Sequence, residues 1–489
     1  MLFGWADAVL QPGFAGTAAP EWVRRRLANG LGGVALFSRN IESAGQVQAL
    51  VGELRAENPD VVVAIDEEGG DVTRMEATRG SSRPGNLALG AVDDLALTEA
   101  VAAEIGWDLA GVGVTLDYAP DADVNSNPDN PVIGVRSFGA DPALVARHTA
   151  AWVRGLQSTG VAACAKHFPG HGDTTVDSHL ALPTLDGPVE HIVAAALPPF
   201  RAAIEAGVRT IMTGHLLVGS LDPDAPATMS RRILVDLLRG ELGFDGLIIT
   251  DGLEMRAVAD RYGLAGAAVR AIAAGADALC VGGGPTGEDT VELLRNALVE
   301  AVRSGELAEE RLADAARRVG ELAAWSAGDH QRERRAGGPV GMIAARRAVR
   351  IVDPDGVLPL PRAPHVVELA PYLHEAIDEG TPWGVAEPLA RLRPDVTSVR
   401  LHPGDADRLA GTALAAANGR PLVVVVRDAH RHAWMSGAVK ELIGARPDAV
   451  VVELGLPGPE PLGAAYLATH GAARVCGEAA AEVLLGGAE

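Results

Sequence analysis

Residues 166–179, KHFPGHGDTTVDSH, gather one lysine, three histidines and two aspartates into fourteen positions punctuated by Pro169, Gly170 and Gly172. Side chains of this kind, held among turn-forming residues, suit proton transfer and the gripping of a polar ligand. Asp177 and His179 stand two apart, and in an extended loop such positions share a side, so the carboxylate can meet an imidazole nitrogen. A carboxylate beside an imidazole favours the protonated ring, which makes the pair a general acid and then a base. Pinning the loop is the blander role for the same two residues. Lys166 is unusual in its own right: of 42 Lys and Arg residues only Lys166 and Lys440 are lysines. A compact ammonium at this place points to a crowded, hydroxyl-rich ligand that a planar guanidinium would not fit.

Other candidates lie at the ends of apolar runs. IITDG puts Asp251 directly after such a run, where a carboxylate can act as a nucleophile or cap the next helix. AIDEEGGDVTRM supplies Asp66, Glu67 and Glu68 before a double glycine and Arg74, a pattern that suits a rim orienting hydroxyls, with a solvated surface as the alternative. DVNSNPDNPVIGVRSFG, residues 123–139, lacks regular period but is rich in Asn, Asp, Pro and Gly. It is expected to be a structured loop bonded to its own backbone, with Arg136 emerging to grip a carboxylate, phosphate or carbonyl group. VGGGPTG, residues 281–287, reads as a turn, because three glycines without a following lysine are a weak phosphate signal. Histidine and aspartate spacing in 167–179 also admits a metal. Pro169 and the intervening glycines fit no simple ligand spacing, and a strand-end lysine opposes a cation, so no metal or other cofactor is expected.

The elements that must position these groups follow from periodicity. From residue 30 to 285 apolar segments (GGVALF, VVVAID, VGVTLDYAP, VAACAKHF, VRTIMTGH, GLIITDG, ADALCVGGG) alternate with helical stretches such as DPALVARHTAAWVRGLQSTG. Seven such strands, with an eighth easily missed, predict an α/β fold with a closed (β/α)₈ TIM barrel over residues 1–328. Asp66, Asp117, Lys166, His167, His215 and Asp251 all fall at or just after strand ends, the face on which barrels build their sites. A Gly-, Pro- and Arg-containing linker is expected at 329–341, followed by a smaller α/β sandwich domain at 342–489 built on HVVEL, TSVRL, PLVVVVRD and DAVVVELG. His430 and His432 are expected in an exposed loop.

Composition excludes several functions. A net charge of −22 repels nucleic acid and anionic membrane, and aromatics at 4% leave little for long stacking platforms. No apolar run approaches bilayer length and no export signal is legible, so a cytoplasmic protein without a membrane partner is expected. Three scattered cysteines, Cys164, Cys280 and Cys476, predict small buried hydrophobes in a reducing compartment. A small polar ligand remains; oligomeric state is not legible.

Taken together, KHFPGHGDTTVDSH, DVNSNPDNPVIGVRSFG and IITDGLEM resemble, in order, the motifs of two-domain bacterial β-N-acetylglucosaminidases of glycoside hydrolase family 3. The resemblance spans the barrel and only loosely the C-terminal region. It implies Asp251 as nucleophile, His179 as acid/base and Asp177 as its orienting partner, with a 2-acetamido sugar contacted by Asp66, Arg74, Arg136, Lys166 and His167. The implied reaction is retaining hydrolysis of a terminal β-linked N-acetylglucosamine (GlcNAc), in the cytoplasmic recycling of cell-wall muropeptide fragments. An uncharged acid/base also admits phosphorolysis to a sugar 1-phosphate, and a catalytically silent sugar-binding barrel is a third alternative. The family usually has Gln at the place of Glu67 and commonly Arg at that of Asp71; both departures are expected to make the rim more acidic.

Overall fold

The structure, a computed structural model, describes residues 1–284, 286–328, 330, 339–372, 376–378, 380–408 and 413–487. It divides into two compact units: residues Met1–Glu68, Leu95–Ile133 and Ser137–Ala336, and residues Gly69–Asp94, Gly134–Arg136 and Gly337–Glu489.

Among the described residues of the first unit, eight parallel strands follow one another around a (β/α)₈ barrel. They are β1 Leu10–Pro12, β2 Gly33–Leu36, β3 Val62–Ile65, β4 Leu116–Asp117, β5 Ala162–Phe168, β6 Thr210–Thr213, β7 Leu247–Thr250 and β8 Leu279–Val281. β2 to β7 form a continuous ladder in chain order. β1 pairs with β8, Ile249 bridges to Ala278, and Gly32 N–H donates to Asp7 O beside β2, which completes the circuit. β1 is the strand the periodicity missed; three residues are too few to declare a period of two.

Alternation along the strands sorts side chains into layers. Val62 and Ala64, Ala162 and Cys164, Leu247 and Ile249, and Ala278 and Cys280 share one core cluster with Tyr118 and Met212. All three cysteines are buried and free, as small hydrophobes. The connecting helices begin where their sequences say. Asp141 caps Pro142–Gln157 by accepting from Leu144 N–H at 2.8 Å, Pro142 sets the first turn, and Val145, His148, Trp152, Val153 and Leu156 form the buried stripe.

The second unit carries a mixed sheet of six strands: β9 Arg350–Val352, β10 His365–Leu369, β11 Thr397–Leu401, β12 Leu422–Val426, β13 Val450–Glu453 and β14 Ala465–Ala468. Their order is β9-β14-β13-β12-β10-β11, parallel except for β9. The four strands read from sequence are present; β9 and β14 were missed because neither alternates clearly. β10 and β12 flank the point where the chain reverses direction across the sheet, so a crevice is expected at their carboxyl ends. The expected linker at 329–341 lies outside the described residues except for His330 and residues 339–341, the helix Val340–Ala348 beginning at its end. His430 is exposed and His432 half-buried. No helix among the described residues is long and apolar enough to cross a membrane.

A Cβ on Gly32 would lie 1.9 Å from Ala8 O, at the seam where β1 and β2 close the barrel. Gly32→Ala is therefore expected to cost about 2 kcal/mol or more, seen as a lowered thermal unfolding midpoint in circular dichroism; an unchanged midpoint contradicts this closure.

Candidate active site

The inward parity of the strands continues past their ends. Val62 and Ala64 lead to Asp66, Ala162 and Cys164 to Lys166, and Leu247 and Ile249 to Asp251, so residues far apart in sequence are aimed at one end of the barrel. Lys166 Nζ lies 2.5 Å from Asp66 Oδ1 and 2.7 Å from Glu68 Oε1, with its side chain almost wholly buried. Two carboxylates thus hold one ammonium in place. Nearby, Asp117 accepts from Glu67 N–H at 2.9 Å, and burial drives its carboxyl well above the usual range.

Asp123 organises the loop that follows β5. Its Oδ2 lies 2.7 Å from His167 Nδ1, and its Oδ1 accepts from His167 N–H at 3.2 Å and His171 N–H at 2.6 Å. Because a carboxylate only accepts, His167 carries its proton on Nδ1. Burial alone would raise the Asp123 carboxyl; His167 and His171 reverse this and hold it low. The 123–139 loop is bonded to its own backbone, as expected. Asn130 Oδ1 accepts from Val132 and Ile133 N–H, and Ser137 Oγ donates to Asp123 O at 2.6 Å. Asn130 Nδ2 also donates to His171 O at 2.8 Å, tying this loop to the 166–179 loop. Gly172 lies so close that a Cβ there would meet Val124 O at 1.9 Å.

At the far end of the same loop His179 Nδ1 lies 2.7 Å from Asp177 Oδ1, which also accepts His179 N–H at 2.9 Å. Asp177 is buried and His179 a quarter exposed. The proton on Nδ1 is donated to Asp177, which directs the ring's chemistry through Nε2. Asp251 follows β7, its Oδ1 accepting Gly252 N–H at 2.8 Å. Burial would push its carboxyl up, but the imidazoles of His167, His215 and His179 overcome that effect and hold it below the ordinary carboxylate value. An ionised carboxylate and the Asp177–His179 pair therefore share one electrostatic neighbourhood. His215 is locked by Thr228 Oγ1 at 2.8 Å on Nδ1 and Gly252 O at 2.9 Å on Nε2, so it braces the Asp251 turn, and burial lowers its pKa.

Asp121, Asp123 and His167 present ligand atoms within 4.8 Å of one another. His167 Nδ1 and both Asp123 oxygens are engaged with each other and with backbone N–H groups, and Asp121 Oδ1 accepts Asp123 N–H at 3.0 Å. In the 281–287 turn, Gly282 and Gly283 N–H donate to Glu254 while Arg39 takes the carbonyls of Gly282 and Gly283, so this backbone offers its donors to a side chain.

A family model described as Glycosyl hydrolase family 3 N terminal domain matches residues 16–322. The chain belongs to glycoside hydrolase family 3. It is similar to a Beta-hexosaminidase A of Pseudoalteromonas piscicida, 33% identical over 372 residues that cover 69% of this chain and 62% of that protein, less than two thirds of its length. A Beta-hexosaminidase of Pseudomonas aeruginosa strain LESB58 is 39% identical over 232 residues, covering 46% of this chain and 67% of the relative. A solved family 3 beta-N-acetylglucosaminidase from Paenibacillus sp. str. FPU-7 superposes with a TM-score of 0.88 at 31% identity, covering 99% of this chain and 97% of that one.

Of the residues expected in the site of this family 3 chain, Asp66, Lys166, His167, Asp177, His179 and Asp251 fall in the barrel unit, whereas Arg74 and Arg136 belong to the second unit. There Arg74 Nη1 donates to Ala376 O at 3.0 Å and to Asp378 Oδ2 at 2.6 Å. Arg136 ends a short helical turn and its carbonyl accepts Asn86 Nδ2 at 2.7 Å. One expectation needs correction. Asp71 does not add charge to a rim, because it is buried, pairs with Arg427 and accepts Ala472 N–H at 2.8 Å. Sequence reasoning also missed Asp123. The only signal was an aspartate in a loop of aspartates, and its partner His167 stands 44 positions away.

His171 tests the loop electrostatically. Thr174 Oγ1 donates to His171 O and so accepts from His171 Nδ1 at 2.7 Å, leaving Nε2 to accept from Ser178 Oγ at 3.1 Å. Burial lowers its pKa to about 4. The unfolded chain binds this proton more readily, so the stabilisation is complete above pH ~6.5 and is lost as pH falls toward 4, by about 3 kcal/mol in all. His171→Asn is expected to flatten the fall of the unfolding midpoint between pH 6.5 and 4 in thermal scans; an equally steep fall refutes the assignment.

Proposed function

We propose that this family 3 chain is a retaining exo-β-N-acetylglucosaminidase that removes a terminal β-linked GlcNAc. Asp251 attacks the anomeric carbon while His179, protonated on Nε2 and oriented by Asp177, gives its proton to the departing glycosidic oxygen. The C–O bond to the aglycone breaks as the bond to Asp251 forms. His179 then takes a proton from water, the resulting hydroxide displaces Asp251 from the anomeric carbon, and the sugar leaves with its original configuration. Asp66, Lys166 and His167 hold the sugar hydroxyls. Arg74 and Arg136 are assigned to the same sugar on the strength of their motifs.

The single observation carrying this reading is the placement of Asp251: a carboxyl at the end of β7, its Oδ1 on Gly252 N–H, in a setting where imidazoles, His179 among them, hold it below the ordinary carboxylate value against burial. A nucleophile must be deprotonated and its acid must be near it. The 2.7 Å bond between Asp177 and His179 supports the assigned acid, since it fixes the ring through Nδ1 and assigns the proton transfer to Nε2. The relatives named β-hexosaminidase support the substrate class, and the motif resemblance extends it to muropeptide fragments of the cell wall.

Asp251→Ala is expected to lower kcat toward a chromogenic β-N-acetylglucosaminide by on the order of 10⁴-fold. A fluorinated glycosyl trap should leave its sugar on the peptide containing Asp251 in mass spectra of the digested enzyme. Free GlcNAc should be the product both in phosphate and in phosphate-free buffer. Accumulation of sugar 1-phosphate would convert the assignment to a phosphorylase, and binding without turnover, indifferent to Asp251→Ala, would make the barrel a silent receptor.

A further inference from the structure

In an open parallel sheet a ligand crevice lies at the carboxyl ends of the strands where the chain reverses direction, here β10 and β12. That crevice is taken up by the protein's own residues 69–74. Val72 packs with Ala376 and Ile377, which follow β10. Asp71 is buried against Arg427, the residue immediately after β12, and accepts Ala472 N–H at 2.8 Å. Arg74 donates to Ala376 O and pairs with Asp378 at 2.6 Å. The segment is thus gripped at three successive points, by a packed valine and two ion pairs of opposite sense.

Gly69 and Gly70 precede these residues with φ of 72° and 64°, and a Cβ on Gly70 would lie 2.4 Å from Gly85 Cα. The segment can therefore enter this position only with glycine there. Upstream by covalent continuity stand Asp66 and Glu68, which hold Lys166. One stretch of nine residues carries both the carboxylates of the ammonium site and the arginine assigned to the sugar. Its latter half is fixed by the C-terminal sheet.

We propose that Asp378 is a positioning residue for Arg74, and that it sets the affinity for the sugar through the guanidinium it holds without itself touching the sugar. The inference rests on the assignment of Arg74 to the sugar. A guanidinium has five N–H donors in a rigid plane, and holding Nη1 on both Asp378 and Ala376 O fixes the orientation of that plane. The departure from the family at position 71 acquires a purpose on this reading, because an acid there is what Arg427 requires.

The test measures kcat and KM with a chromogenic β-N-acetylglucosaminide, and GlcNAc affinity by calorimetry, for the full chain and for Asp378→Asn, Asp378→Glu, Asp71→Asn and Arg74→Lys. Asp378 is partly exposed, so its variants should fold even if Asp71→Asn does not. Expected are a rise in KM of about tenfold for Asp378→Asn with kcat changed by less than about threefold, a parallel loss of GlcNAc affinity, and partial recovery in Asp378→Glu. If Arg74→Lys weakens binding but Asp378→Asn leaves KM and affinity unchanged, the positioning role is overturned. If Arg74→Lys changes neither, the role falls with its premise. Absence of turnover in the unaltered enzyme would defeat the hydrolase assignment alone, and the calorimetric comparison would still decide the inference.

Discussion

A carboxylate withdrawn from water must be satisfied by protein donors, and Asp123 is where this constraint governs the barrel's mouth. Its two oxygens accept from the His167 ring, from His167 N–H and from His171 N–H. One side chain thereby fixes the exit of β5, the orientation of an imidazole beside Asp251 and the start of the loop that ends in Asp177 and His179. None of its partners can leave without stranding a buried negative charge, and this is what makes the loop a defined surface. Asn130 and Gly172 reinforce the same join, one through hydrogen bonds to His171 O and Thr174 O, the other by having no side chain to hold the two loops apart.

Charge is divided between two groups of residues at that mouth. Lys166 is held by Asp66 and Glu68, so the ammonium and its carboxylates are mutually satisfied and stand ready to exchange bonds with hydroxyls. Asp251 takes its stabilisation from imidazoles instead. Imidazoles can change protonation during a reaction cycle, whereas an ammonium locked between two acids is a fixed charge. On the proposed mechanism, this separation keeps the Asp251 carboxylate coupled to His179, the group assigned to move the proton.

Much of the architecture was legible because it follows from local chemistry. Repeated apolar runs with helical stretches between them announced parallel βα units, and polar residues at their ends announced the functional face. β1, β9 and β14 escaped because short strands have too few residues to show a period, and their status is conferred by the neighbours they pair with. Asp177 and His179 were legible as a pair because they are two apart. Asp123 and His167 were not, since a separation of 44 residues carries no periodic signal. Asp71 was misjudged for a related reason: a charge beside two glycines looks exposed until Arg427 is seen to cover it.

By itself the sequence determined which side chains could do chemistry, and their parity on the strands, because alternation is a property of the extended backbone and needs no partner. It determined too that the molecule would be two sheets with helices, since periodicity is local. Only tertiary structure decided which polar groups pair: Asp123 with His167, Asp71 with Arg427, Arg74 with Asp378. Electrostatic pairing depends on distance in space, which the order of residues along a chain does not encode.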